Sequence, residues 1–178
     1  GNDIKKINSK KPIFYVSLGG GDTNGNICII LDSIKKLFDK SKINIISSSS
    51  NKELVEIKKN ITKHKYIKLY INEKKPFRII KKSNIAIVNG GMTAIETLKS
   101  GIPFVIISTA VNQKPLSEAL HKKGIAEYSG FSKKISINKI KKSIKKTILN
   151  YHKYQKKLIK YNYQINSDNV VNYILKII

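Results

Sequence analysis

The stretch Ile85-Ala-Ile-Val-Asn-Gly-Gly-Met-Thr-Ala-Ile-Glu96 decides how this chain is read. A short apolar run, mostly β-branched, ends in Asn89-Gly90-Gly91, and helical spacing starts at once. A buried strand that turns sharply into a helix is the building unit of a parallel α/β sheet. Two adjacent glycines permit the turn and remove the Cβ atoms that would hold a ligand away from the backbone. The free N–H groups and the dipole at the start of the helix then favour an anion in that gap. Thr93 adds a hydroxyl, and Glu96, about one turn into the helix, places a carboxylate just beyond. The order suits a diphosphate followed by a ribose.

The same alternation extends outward in both directions. Apolar runs at 13–18, 43–47, 66–71, 85–88 and 104–107, with a weaker one at 126–128, read as strands. Amphipathic stretches at 26–39, 52–59, 76–82, 93–100 and 116–123 read as helices between them. Short strands that are almost wholly apolar are expected where helices cover both faces of a parallel sheet. The spacing therefore predicts an α/β fold: a Rossmann-like open, mainly parallel sheet of about six strands with helices on both faces. Gly101 with Pro103, and Gly124, mark helix stops. Beyond Gly130 the apolar stripe Ile137, Ile140, Ile144, Ile148 predicts a helix over 136–150, with Ser136 as its cap. Helices are also expected over 151–163 and 168–178. A single domain over 1–178 follows, with a core at about 12–150 and C-terminal helices at 151–178.

Composition narrows the classes. No apolar stretch approaches the roughly 20 residues needed to span a bilayer, and residues 1–11 are polar, without the apolar centre of a signal peptide. The lone cysteine, Cys28, excludes an internal disulfide, fits a reducing cytoplasm, and is read as a buried structural thiol. The chain opens on Gly1 rather than Met, close to its first strand, and is expected to be a fragment or an excised domain. A net charge of +24 invites a nucleic-acid reading. Against it, Arg78 is the only arginine, whereas base readout and bidentate phosphate clamping favour arginine. The abundance of Lys, Ile and Asn matches the codon bias of an AT-rich genome. Nucleic acid is therefore not an expected partner. The lysine-rich, acid-free segment between Glu127 and Asp168 is either a solvated face or one drawn to an anionic membrane surface.

A second glycine turn, Ser17-Leu-Gly-Gly-Gly-Asp-Thr-Asn-Gly25, follows the first strand. In an open α/β sheet it lies on the same edge as the Asn89 turn. It fits neither the dinucleotide fingerprint nor a P-loop, so phosphate contact and a purely structural turn both remain open. His64, His121 and His152 lie on lysine-rich stretches and none is paired in sequence with a carboxylate. No zinc or EF-hand spacing occurs, so neither a metal site nor a cofactor is expected.

The wider pattern, Gly90-Gly-Met-Thr-Ala-Ile-Glu96 with Gly101-Ile-Pro103 and Asn112-Gln113, resembles the C-terminal nucleotide-sugar-binding domain of GT-B-fold proteins. Within that group it is most similar to the UDP-sugar hydrolases of pseudaminic acid biosynthesis and to spore-coat polysaccharide proteins. The resemblance covers residues 13–130, with 168–178 a weaker echo. It implies that Gly90, Gly91, Met92 and Thr93 hold the diphosphate and that Glu96 accepts hydrogen bonds from the ribose. It implies that backbone groups of Ile71 and Asn72 pair with uracil and that Asn112 and Gln113 face the sugar. Gly20 and Gly21 would line the cleft against a second GT-B domain. That N-terminal domain is read as absent, and the hydrolase's water-activating residues would come from it, in cis or in trans. Catalytic residues are accordingly unassigned, and the domain alone is expected to be inactive. The implied activity is removal of UDP from a UDP-linked diacetamido-trideoxy sugar for a bacterial surface glycan of the nonulosonic acid type. The alternatives are the donor-binding domain of a GT-B glycosyltransferase, and a non-catalytic nucleotide-sugar-binding or membrane-associated partner subunit. The expected location is the cytoplasm or the inner face of the membrane.

Overall fold

A computed structural model describes residues 7–19 and 25–164. Strands and helices alternate throughout: β1 (Phe14–Ser17), α1 (Asn26–Leu37), β2 (Ile43–Ser47), α2 (Leu54–Ile61), β3 (Ile67–Ile71), α3 (Pro76–Lys81), β4 (Ile85–Asn89), α4 (Met92–Ser100), β5 (Phe104–Ser108), α5 (Lys114–Lys122), β6 (Glu127–Phe131), α6 (Ile137–Leu149) and α7 (Tyr151–Gln164). The six strands form one sheet in the order β3-β2-β1-β4-β5-β6, and every pairing is parallel. The fold is the Rossmann-like α/β arrangement expected from the alternation. The expected helix over 168–178 lies outside the described residues.

The strands are apolar because both faces of the sheet are covered. On one face Phe14, Val16, Ile43, Ile45, Ile85 and Ile87 meet Ile27, Ile30 and Ile34 of α1, Ile57 of α2, and Ile140 and Ile144 of α6. On the other, Tyr15, Ala86, Val88, Phe104 and Ile106 meet Ile80 of α3, Ala94 and Leu98 of α4, Leu120 of α5, and Leu158 of α7. Successive strand residues point to opposite faces, so a central strand has no solvent-facing set and alternation disappears from the sequence. At the edge, β3 recovers it, with Ile67 buried and Lys68 exposed.

Two boundaries and one burial differ from expectation. β6 runs past Tyr128 to Phe131, through Gly130 at φ 105°, where its register with β5 shifts. A glycine that looks like a turn in sequence here accommodates an irregular strand. Helix α5 starts at Lys114, ahead of the expected 116, because Pro115 is accepted in a first helical turn. Cys28 is half-buried on α1 rather than fully enclosed, with the Asn60 amide 3.5 Å from its sulfur.

The crossover between β1 and β4 is the topological switch point. Helices α1 and α2 follow β1 and β2 on one face, whereas α4 follows β4 on the other. In an open α/β sheet the ligand crevice lies at the C-terminal edge of such a switch point, here beyond Ser17 of β1 and Asn89 of β4.

Candidate functional site

At that edge the described residues are Leu18 and Gly19 after β1 and the Asn89–Gly91 turn after β4. Asn89, the last residue of β4, donates from Nδ2 to the Leu18 carbonyl at 3.1 Å, and the Gly91 N–H lies 3.4 Å from its Oδ1. One side chain thus ties the two glycine turns together. Gly19 sits at φ 66°, and a Cβ there would lie 3.0 Å from the Asn89 amide nitrogen. Gly20 and Gly21 lie outside the described residues.

The two glycines of the second turn do different things. A Cβ on buried Gly90 would sit 2.2 Å from the Ser117 Oγ and 3.0 Å from the Gln113 carbonyl oxygen, so the turn can press against α5 only with glycine there. At Gly91 the nearest atom to a Cβ would be the Gln113 Nε2 at 3.5 Å, an ordinary contact. Gly91 is the N-cap of α4 and supplies no side-chain cap, and the first turn of α4 carries no acid. The Ala94 N–H turns back to the Gly91 carbonyl at 3.0 Å. The N–H groups of Met92 and Thr93 meet no acceptor among the described residues. Met92 is 71% exposed, so its N–H is not screened by a packed side chain. A helix N-terminus bare of caps, at a switch point, has the donors and dipole that an anion can use.

Glu96 lies exposed on α4 and makes no ion pair or hydrogen bond among the described residues, although the chain has 35 basic and only 11 acidic residues. Its charge is felt by Tyr15 of β1. Burial pushes the Tyr15 hydroxyl up to about 12, a hydrogen bond with Ser17 pulls it partly back, and the Glu96 charge raises it further.

The loop after β5 reaches the same edge. Gln113 accepts at Oε1 from the Thr109 N–H at 2.9 Å and from the Thr109 hydroxyl at 3.2 Å. That fixes the amide orientation and leaves the Nε2 donor beside Gly91. Asn112 is exposed in the short 3-10 turn Val111–Gln113. After β3, Asn72 takes φ 53° and bonds to the loop after β2: its N–H to the Ser47 carbonyl (3.0 Å), its Oδ1 from the Ser49 N–H (2.9 Å). Its N–H is therefore already engaged. Ile71 is 40% exposed at this end of the sheet.

One pairing escaped the sequence reading. His121 Nδ1 lies 3.8 Å from Oε2 of Glu127, which is buried at the start of β6. The two are six residues apart across a turn, a spacing no helical or strand period relates. They lie at the opposite, N-terminal edge of the sheet, away from the glycine turns. Among the described residues no cluster of His, Cys, Asp and Glu is placed to hold a metal ion. No described helix is long and apolar enough to cross a membrane.

No protein-family model matches the chain. It is 28% identical over 122 residues to the UDP-2,4-diacetamido-2,4,6-trideoxy-beta-L-altropyranose hydrolase of Campylobacter jejuni, a match covering 68% of this chain and 43% of the relative. Among solved structures, a spinosyn rhamnosyltransferase complexed with spinosyn aglycone superposes with a TM-score of 0.71 at 14% identity, covering 90% of this chain and 42% of that one. The UDP-GlcNAc 2-epimerase of Neisseria meningitidis, bound to UDP-GlcNAc, gives 0.61 at 17% identity, covering 85% and 39%. The chain spans less than half the length of each of these relatives. The likeness drawn from the glycine turn is thereby supported: the chain resembles the C-terminal nucleotide-sugar-binding domain of GT-B proteins and has the fold of such a half.

Proposed function

We propose that this chain binds a UDP-sugar at the β1–β4 crevice, as part of an enzyme that removes UDP from a UDP-linked diacetamido-trideoxy sugar in bacterial surface-glycan biosynthesis. The carrying observation is the bare N-terminus of α4 followed one turn later by the Glu96 carboxylate, which has no partner among the described residues. The N–H groups of Met92 and Thr93, with the Thr93 hydroxyl, bind the diphosphate, and the Gly90–Gly91 turn lets it approach the backbone. These donors stabilise the charge that collects on it as the glycosidic bond breaks. Glu96 accepts from the ribose hydroxyls, and Tyr15 stays protonated at neutral pH. Gln113 Nε2, fixed by Thr109, donates toward the diphosphate–sugar junction, and exposed Asn112 faces the sugar. At the far end of the crevice, backbone groups of Ile71 and Asn72 meet the uracil. Because the Asn72 N–H is engaged, its carbonyl is the free partner. The group that activates water belongs to a second GT-B domain, in cis or in trans, that closes over Gly20 and Gly21.

A second reading, the donor-binding half of a glycosyltransferase, draws on the rhamnosyltransferase likeness and uses the same pocket. A product assay on the assembled two-domain enzyme separates the two: free sugar for the hydrolase, glycoside for the transferase. Attachment to a membrane through an amphipathic α6 is disfavoured, because Ile140 and Ile144, the apolar stripe that would enter the lipid, are buried in the core.

Calorimetric titration of the chain with UDP, UMP and ADP tests the site. UDP is expected to bind best, UMP more weakly for want of the second phosphate, and Glu96→Ala to weaken UDP by about 1–3 kcal/mol through lost charge-assisted hydrogen bonds. Equal, weak binding of UDP and ADP, unaffected by the substitution, would remove the assignment.

A further inference from the structure

A second, unrelated cavity of about 380 Å³ opens at the N-terminal edge of the sheet, where α5 ends, β6 begins, and α6 hands over to α7. Its volume lies in the range of small-molecule sites. Its walls carry Lys122, Lys146, Lys153 and Lys157, with His121 and Asn150. Among the described residues the only carboxylate lining it is Glu127, and both its oxygens are already held. Oε1 takes the Tyr154 hydroxyl and the Lys146 Nζ at 2.9 Å, and Oε2 lies 3.2 Å from the same ammonium. Lys157 donates to the Lys123 carbonyl at 2.7 Å. Lys122 and Lys153 are exposed and make no hydrogen bond or ion pair among the described residues.

The charge balance selects the ligand. Four lysines against one carboxylate leave three positive charges in the wall. The C-terminal ends of α5 and α6 subtract about half a charge each, and the N-terminal end of α7 restores about half. The remainder, roughly two to three positive charges, matches a dianion better than a carboxylate. Glu127 acts as an anchor that holds Lys146 and Tyr154 in the wall, and it is shielded from an incoming anion by the groups bonded to it.

We propose that this cavity is a binding site for a phosphoryl dianion, separate from the nucleotide crevice and independent of its assignment. The source is either a free phosphate ester or a phosphomonoester lipid headgroup, since the recognition chemistry is the same. The test is a titration of the whole chain with inorganic phosphate at near-physiological salt, followed by the ring NMR signals of His121, with His64 as the remote reference. The His121 signal is expected to move and saturate while His64 stays still. Lys122→Gln/Lys153→Gln, which removes no intramolecular bond, should weaken binding at least tenfold. Lys58→Gln/Lys59→Gln, an equal charge loss on exposed α2, should change it less than twofold. Cosedimentation with phosphatidic acid vesicles, tested on the same two variants, assigns the headgroup source if only vesicle binding responds to the cavity pair. No saturation with phosphate and no cavity-specific loss on vesicles, or equal effects of the two variants, would each overturn the proposal.

Discussion

Gly90 and Gly91 are neighbours of identical chemistry with separate tasks. Gly90 is held to glycine by α5, since a Cβ would fall 2.2 Å from the Ser117 Oγ, an atom fixed by its bonds to Ser108 and to the Gln113 carbonyl. Gly90→Ala is therefore expected to lower the unfolding free energy by about 1–3 kcal/mol through overpacking, measured by urea denaturation. Gly91 has φ −99° and room for a methyl. Gly91→Ala should leave the urea midpoint nearly unchanged while weakening UDP binding, because its Cβ stands at the mouth of the proposed phosphate site. Equal stability losses at both glycines would show that the turn does not pack as described. The sequence marks the pair as a turn and gives no means of dividing the labour, because the partner of Gly90 is more than twenty residues away.

Among the elements, α4 and α6 show opposite ways of starting a helix. Helix α6 is closed by Ser136, whose hydroxyl accepts from the Lys139 N–H at 3.4 Å, whereas α4 has no side-chain cap at all. Ser136→Ala is expected to cost about 1 kcal/mol of stability, seen as a lower thermal midpoint with nucleotide binding intact. An unchanged midpoint would mean that the long Ser136 bond contributes nothing. The Ser136 cap was legible because a serine before an apolar periodicity is a local signal. So were the stops at Gly101 and Gly124, both of which take positive φ. The course of β6 was less so: Gly130 reads locally as a break, yet pairing with β5 carries the strand through it to Phe131.

Over the whole molecule, the two-faced core buries tyrosines whose hydroxyls must stay neutral. Burial pushes both Tyr15 and Tyr151 from 10.0 up to about 12, partly offset at Tyr15 by a hydrogen bond with Ser17. The folded state therefore holds these protons more tightly than the unfolded chain. Their contribution is complete below pH 10 and is lost as pH rises from 10 to 12, at up to about 1.4 kcal/mol per pH unit for each tyrosine. Urea midpoints measured from pH 9 to 11 should fall on that slope, and Tyr15→Phe should remove its share. A flat profile would show that neither hydroxyl is desolvated. The alternation of apolar runs with helical stripes by itself determined the α/β class, the element order and the place of the glycine turns, because strand burial and helix amphipathicity are written in nearest neighbours and short periods. Only the tertiary structure decided the strand order, with its switch point between β1 and β4, the clasp of Asn89 on Leu18, the separate duties of Gly90 and Gly91, and the meeting of His121 with Glu127. Those depend on which distant segments pack together. Burying both faces of one sheet sets that arrangement, and no local period encodes it.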